Sequence, residues 1–105
     1  MIINIRAIGM DLTDAIRQYC EEKFQSLEKY TPEILHADIV VGKETAHHHT
    51  GAILKCSATV QIPGEVLKVE REEEDLYKAI DKVRDHLRET LAQHKERRVD
   101  ERKGE

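Results

Sequence analysis

The feature that most constrains this chain is the alternation of two hydrophobic periods along it. Apolar residues recur at every second position near the N-terminus, then at helical spacing, then at every second position in three segments, and finally again at helical spacing. A period of two is typical of half-buried strands, and a period of about 3.6 is typical of amphipathic helices. The order strand, helix, three strands, helix therefore predicts an α+β domain, in which a four-stranded sheet carries both helices on one face.

Boundary residues place these elements more closely. Strands are predicted over residues 3–7, Ala37–Val41, Leu54–Ile62 and Val66–Arg71. Pro63 and Gly64 predict a type II turn between the last two strands, because proline fixes its own φ and glycine accepts a positive one. Thr13 is a suitable N-cap for the first helix, and Pro32 prevents continuation of that helix. The second helix is predicted from about Asp75 to beyond Lys95.

The length of 105 residues fits one domain, which we expect to span residues 1–98, followed by a charged, flexible tail at 99–105. No apolar run approaches the roughly 18 residues of a membrane span, and the N-terminal segment alternates like a strand, unlike a signal peptide. Cys20 and Cys56 have apolar surroundings and no metal-ligand spacing, which indicates buried reduced thiols. We expect a cytoplasmic protein with no cofactor, no membrane partner and no small-molecule substrate.

The charge balance bears on the choice of macromolecular partner. Charged residues make up 36% of the chain, but the formal net charge is −4, whereas a nucleic-acid-binding domain usually carries a basic excess. Composition alone therefore favours a protein-binding module. A nucleic-acid partner requires a local concentration of basic side chains.

The second helix contains such a concentration. At about 100° per residue, Arg84, Arg88 and Lys95 project along one flank of the apolar stripe, and a row of this kind can follow a phosphate backbone. The alternative is a solvated helix with local ion pairs, since Asp81 and Asp85 each precede an arginine by three residues. The sequence leaves both interpretations open.

Other clusters of polar residues do not form a catalytic pattern. His47, His48 and His49 are weak metal candidates, because three consecutive loop residues do not easily converge on one ion. The acidic residues Glu70 and Glu72–Asp75 are explained by the favourable electrostatics of a helix N-terminus. The sequence contains no Gly-rich phosphate loop, no Ser-His-Asp arrangement and no Cys-X-X-Cys motif. We therefore expect neither an enzyme nor a metal site.

Three segments, taken in order, resemble one family. The stretch Asp75–Asp81, followed by Leu87, Leu91 and His94-Lys95, is similar to the second-helix signature of the ribosome hibernation-promoting factor and ribosome-associated inhibitor family, also called the sigma-54 modulation protein family. Leu12–Arg17 with Leu27–Tyr30 resembles the first helix of that family, and Thr59–Gly64 resembles its hairpin. The resemblance covers nearly the whole chain apart from the connection at 43–51 and the tail. The chain resembles the short form of the family, which lacks the second domain of longer members.

The resemblance implies both a fold and a function. The fold is β-α-β-β-β-α, and members of the family bind the small ribosomal subunit of the intact ribosome, in the channel for mRNA and tRNA. They inhibit translation in idle cells without any chemistry, and basic side chains of both helices lie against ribosomal RNA. By their positions in the family motifs, the residues that the resemblance implies as RNA-binding are Lys23, Lys29, His94 and Lys95. We add four arginines because they lie in the same basic part of the second helix: Arg84, Arg88, Arg97 and Arg98.

The chain also departs from the family pattern. Ser26, His86, Glu89 and Gln93 stand where relatives often carry basic residues, which predicts fewer phosphate contacts. The short tail favours the sub-type that pairs ribosomes into inactive dimers. Two alternatives stay open: a protein–protein regulatory module acting on a sigma factor or an enzyme, which the negative net charge favours, and a general binder of double-stranded RNA.

Overall fold

The computed structural model describes residues 1–31, 33–45 and 52–103, with side chains described over 1–31, 33–43 and 53–95. The elements are β1 (Ile2–Ile8), α1 (Asp14–Gln25), a 3₁₀ turn (Ser26–Lys29), β2 (His36–Thr45), β3 (Ala52–Ile62), β4 (Glu65–Glu73) and α2 (Leu76–Lys103). This order confirms the predicted α+β fold. Because α2 continues through Lys103, much of the segment expected to be a tail is helical, and its flexibility stays a prediction.

The four strands form one sheet in the order β1-β2-β3-β4. β1 and β2 are parallel and are joined through α1, whereas β2, β3 and β4 are antiparallel neighbours. The register places Ile5, Ile39, Ala58 and Val69 in one row across the sheet. Since successive residues of a strand point to opposite faces, this row and its equivalents two residues away define the face that the helices cover.

Local chemistry sets the ends of the elements. The Thr13 side-chain oxygen accepts a hydrogen bond from the Ile16 N–H at 3.2 Å, as expected for an N-cap. Gly64 has a φ of +80°, which agrees with the predicted type II turn. Gly9 has a φ of +73°, and a Cβ atom there would lie 2.7 Å from the carbonyl oxygen of Lys43. A side chain at Gly9 would therefore separate the turn after β1 from β2.

The core lies between the sheet and the two helices. α1 contributes Ile16, Cys20 and Phe24, and α2 contributes a stripe of buried residues that runs from Leu76 to Leu91. Burial of a side chain such as Phe24 stabilises the fold by about 1.5–3 kcal/mol. Both thiols are fully buried, and burial raises the pKa of Cys20 to about 11 and that of Cys56 to about 12. The predicted burial of both thiols is confirmed, and the structure joins neither of them in a disulfide.

The opposite face of the sheet faces solvent, with polar residues and a few apolar ones. One row across it contains Asn4, Asp38, Thr59 and Lys68, in which the Asn4 amide donates to the Asp38 carboxylate at 3.1 Å. We call this surface the open sheet face. Among the described residues, neither helix combines the length and the apolar composition needed to cross a bilayer.

Candidate nucleic-acid interface

The two helices meet along one line on the side of the molecule opposite the open sheet face. α1 packs over β1, and α2 packs over β3 and β4, with direct contact between the helices. Side chains from α1, from the end of the 3₁₀ turn and from α2 line this junction. We call the strip the helix seam, and it consists of Tyr19, Lys23, Tyr30, Tyr77, Asp81, Arg84 and Arg88.

A hydrogen-bonded cluster fixes the centre of the helix seam. The Tyr19 hydroxyl donates to Asp81 Oδ1 at 2.6 Å, and Lys23 Nζ lies 3.6 Å from the same oxygen. The Tyr77 ring meets the Tyr19 ring edge to face, with 4.7 Å between the centroids. The hydrogen bond to Asp81 is the main cause that raises the pKa of Tyr19 to about 12, with burial adding to it. The cluster therefore ties α1 to α2 through one shared carboxylate.

Cations lie over two of the aromatic rings of the helix seam. Lys23 Nζ is 5.2 Å from the centroid of the Tyr19 ring, and Arg88 Cζ is 5.9 Å from the centroid of the Tyr30 ring. These distances fall within the range of cation–π attraction. Lys29, an exposed residue at the end of the 3₁₀ turn, directly precedes Tyr30. The structure thus brings the predicted residues Lys23 and Arg88 to the same junction although they belong to different helices.

Of the two arginines Arg84 and Arg88, only Arg84 forms a local ion pair on the described part of α2. Arg84 Nε donates to its neighbour Asp85 at 2.7 Å. The predicted pairs at a spacing of three residues, Asp81 with Arg84 and Asp85 with Arg88, do not occur among the described side chains, because Asp81 turns towards α1 and Asp85 towards Arg84. In the same part of the chain, no ion pair involves Arg88 or Lys95. These two cations are therefore available to an external anion.

Other predicted RNA-binding residues lie elsewhere or beyond the described side chains. His94 Nδ1 is 2.9 Å from Glu65 Oε2 at the start of β4, so this imidazole faces the sheet and not the helix seam. Lys95 is exposed on α2. Arg97 and Arg98 belong to α2, but their side chains lie outside the described set. The weak metal candidates His47, His48 and His49 also lie outside the described residues. Within the described residues, no group of metal-binding side chains converges.

Two of the departures from the family pattern have structural partners. Arg71 Nη2 donates to His86 Nδ1 at 2.6 Å, which joins β4 to α2. The Ser26 hydroxyl donates to the Lys23 carbonyl oxygen at 2.5 Å, where α1 passes into the 3₁₀ turn. Glu89 and Gln93 are exposed. His86 and Ser26 therefore form contacts within the fold. Glu89 and Gln93 occupy solvent-facing positions of α2 and carry no positive charge there.

The aromatic residues of the site were not predicted from the sequence. The chain has three tyrosines, and all three lie on the helix seam. A signal was present, because Tyr19 precedes Lys23 by four residues and Tyr77 precedes Asp81 by four, which places each pair on one helix face. The tyrosine contacts that join the two helices are those of Tyr19 with Asp81 and with Tyr77. Because these residues are far apart along the chain, their spacing does not reveal the contacts.

Comparison with known proteins gives the family of the chain. Residues 3–99 match the profile of the family described as Sigma 54 modulation protein / S30EA ribosomal protein. The chain belongs to this family. The ribosome hibernation promoting factor of Azotobacter vinelandii is 32% identical over 105 residues, which cover 100% of this chain and 92% of that protein.

Solved structures agree with the family assignment. The N-terminal domain of Thermus thermophilus Protein Y is similar to this chain with a TM-score of 0.76 at 32% identity, over 90% of this chain and 99% of that one. A ribosomal subunit interface protein from Coxiella burnetii has the same fold, with a TM-score of 0.79 at 24% identity, over 90% of this chain and 98% of that one. The resemblance inferred from the helix and hairpin motifs is confirmed.

Proposed function

We propose that this protein is a ribosome hibernation factor that binds the small ribosomal subunit at the decoding channel and inhibits translation in idle cells. The observation that carries the proposal is the helix seam. It places basic side chains of both helices on one surface, in a chain that matches a curated ribosome hibernation promoting factor over its whole length. The ribosome-binding unit is the domain at residues 1–98.

In this proposal the basic side chains neutralise phosphates of ribosomal RNA. Each neutralised phosphate releases counterions, which strengthens binding at low salt. The contacts come from Lys23, Lys29, Arg84, Arg88 and Lys95, with Arg97 and Arg98 further along α2. The predicted contact His94 is left out, because its imidazole meets Glu65 and faces the sheet. Because the net charge of the chain is −4, its overall field does not favour RNA. Affinity therefore depends on the local surface and should not extend to plain duplex RNA.

Inhibition in this proposal needs no chemical step. A folded domain in the channel excludes mRNA and tRNA sterically, and the phosphate contacts hold it there. The protein then acts in the cytoplasm, without cofactor, metal ion or small-molecule substrate, and its partners are the small subunit and the intact ribosome.

Competition for the channel tests this proposal. Purified small subunits are programmed with mRNA and labelled tRNA, and the protein is added at increasing concentration. We expect loss of bound tRNA in proportion to bound protein, inhibition of translation in a purified system, and no relief by excess plain duplex RNA. Co-sedimentation without displacement of tRNA would contradict the assigned site, and relief by duplex RNA would favour the general double-stranded RNA binder.

The net charge of −4 favours a second candidate function, a protein–protein regulatory module. The open sheet face exposes the apolar side chains Ile2, Ile8 and Val66, but they lie apart on the two edge strands and form no contiguous patch. If small subunits do not bind the protein at low salt, this second candidate replaces the first.

A further inference from the structure

Two of the three tyrosines of the helix seam are exposed. Tyr30 is 41% accessible and Tyr77 is 40% accessible. Tyr19 is different, because its ring is half-buried and its hydroxyl is held by Asp81. Neither the hydroxyl of Tyr30 nor that of Tyr77 forms a hydrogen bond with the described side chains. The side chains of Tyr30 and Tyr77 therefore stay partly open to solvent beside the cations of the seam.

The combination of an exposed ring and a nearby cation fits a single-stranded RNA partner. Arg88 lies over the Tyr30 ring, and Tyr77 meets the ring over which Lys23 lies. An aromatic surface can stack on a nucleobase, while the neighbouring cation pairs with the phosphate of the same strand.

On the basis of the proposed function, we propose that Tyr30 and Tyr77 are stacking surfaces for unpaired bases of ribosomal RNA. Paired bases are stacked inside the duplex, and A-form RNA offers side chains only its sugar–phosphate backbone and a shallow groove. A flat ring can reach a base only where the base is unpaired. The helix seam therefore recognises single-stranded or bulged RNA, with Arg88, which has no ion pair among the described side chains, holding a phosphate next to the stacked bases.

Two pairs of substitutions test the stacking role. Tyr30→Leu and Tyr77→Leu remove the aromatic face but keep an apolar side chain, whereas Tyr30→Phe and Tyr77→Phe keep the face and remove only the hydroxyl. The measurement is the affinity of each variant for purified small subunits, with urea unfolding as a check of the fold. We expect each leucine variant to bind about tenfold more weakly, and each phenylalanine variant to bind within about twofold of the unchanged protein.

The outcomes separate this inference from the proposed function. If the unchanged protein binds small subunits and the leucine variants bind equally well, the rings do not stack on RNA and the inference is overturned, while the proposed function stands. If the phenylalanine variants lose as much affinity as the leucine ones, the hydroxyls and not the rings make the contact. If the unchanged protein does not bind at all, the proposed function itself is overturned.

A measurement on the unchanged protein covers the case in which a leucine variant fails to fold. The chain contains no tryptophan, so its intrinsic fluorescence comes from the three tyrosines. We expect a single-stranded oligoadenylate at low salt to quench this fluorescence, and a duplex of the same length to quench it several-fold less. Equal quenching by both, or quenching by neither, would overturn the stacking inference.

Discussion

Arg84 and Arg88 form a matched pair of substitutions, because both lie on the same flank of α2 and differ in their local partners. Arg84 donates to Asp85 and its side chain is 20% exposed. Arg88 is exposed, lies over Tyr30 and has no ion pair among the described side chains. Changing either residue to glutamine removes the same formal charge. The two variants should nevertheless differ in how salt affects their binding to the small subunit.

The expected magnitude follows from counterion release. Each phosphate contact contributes about 0.7–0.9 to the slope of log affinity against log salt concentration. Arg88→Gln should therefore reduce the magnitude of that slope by about 0.7–0.9 and weaken binding at low salt. Arg84→Gln should reduce it by less than about half as much, because Asp85 already neutralises part of that charge before RNA arrives.

The assay is equilibrium binding of labelled protein to purified small subunits at several salt concentrations between about 50 and 200 mM. Urea unfolding curves of both variants serve as controls, and neither substitution should change the unfolding midpoint appreciably, since exposed ion pairs contribute little to stability. Equal changes of slope in the two variants, or a larger change for Arg84→Gln, would refute the argument that local pairing decides which cations contact phosphate.

Three further predictions concern the fold and its titrating groups. Tyr19→Phe should lower the free energy of unfolding by about 1 kcal/mol at pH 7, because the lost hydrogen bond reaches a partly exposed carboxylate. Since the pKa of Tyr19 is raised to about 12, the difference in stability between the two proteins should persist below about pH 10 and vanish as the pH rises through about 12. Urea unfolding of both proteins at pH 7 and pH 11 checks this, and the same difference in unfolding free energy at both pH values would contradict it. Leu87→Ala, at a fully buried site, should cost about 2–5 kcal/mol, and a loss below about 1 kcal/mol in urea unfolding would exclude tight packing there. Cys20 and Cys56, whose pKa values are raised by burial, should react with a chromogenic disulfide reagent at pH 8 only after unfolding in urea, so rapid reaction of the native protein would refute their burial.

Much of the fold could be predicted from the sequence because burial leaves a periodic signal. The alternation from Leu54 to Ile62 assigns Cys56, Ala58 and Val60 to the inner face, and all three are fully buried. The strand ends were predicted too short, because the alternation disappears where a strand extends beyond the core. β2 continues past Val41 through Gly42 and Lys43, which carry no apolar pattern.

The candidate site was only partly predictable, because its contacts join distant parts of the chain. The direction of Arg84 and Arg88 followed from helical geometry, but the partner of Asp81 is on α1, and Tyr19 is 62 residues away from it. The position of His94 was predictable from the sequence. It follows Leu87 and Leu91 at helical spacing, so it belongs to the stripe that faces the sheet, where it meets Glu65.

The most direct test of the central claim is co-sedimentation with intact ribosomes of two double variants with equal changes of charge. Lys29→Glu with Arg88→Glu alters the helix seam and its border, and Arg6→Glu with Lys68→Glu alters exposed residues of the open sheet face. We expect the unchanged protein and the sheet-face variant to sediment with ribosomes, and the seam variant to stay in the supernatant. Sedimentation of the seam variant together with loss of the sheet-face variant would contradict it, and would place the ribosome contact on the opposite side of the molecule.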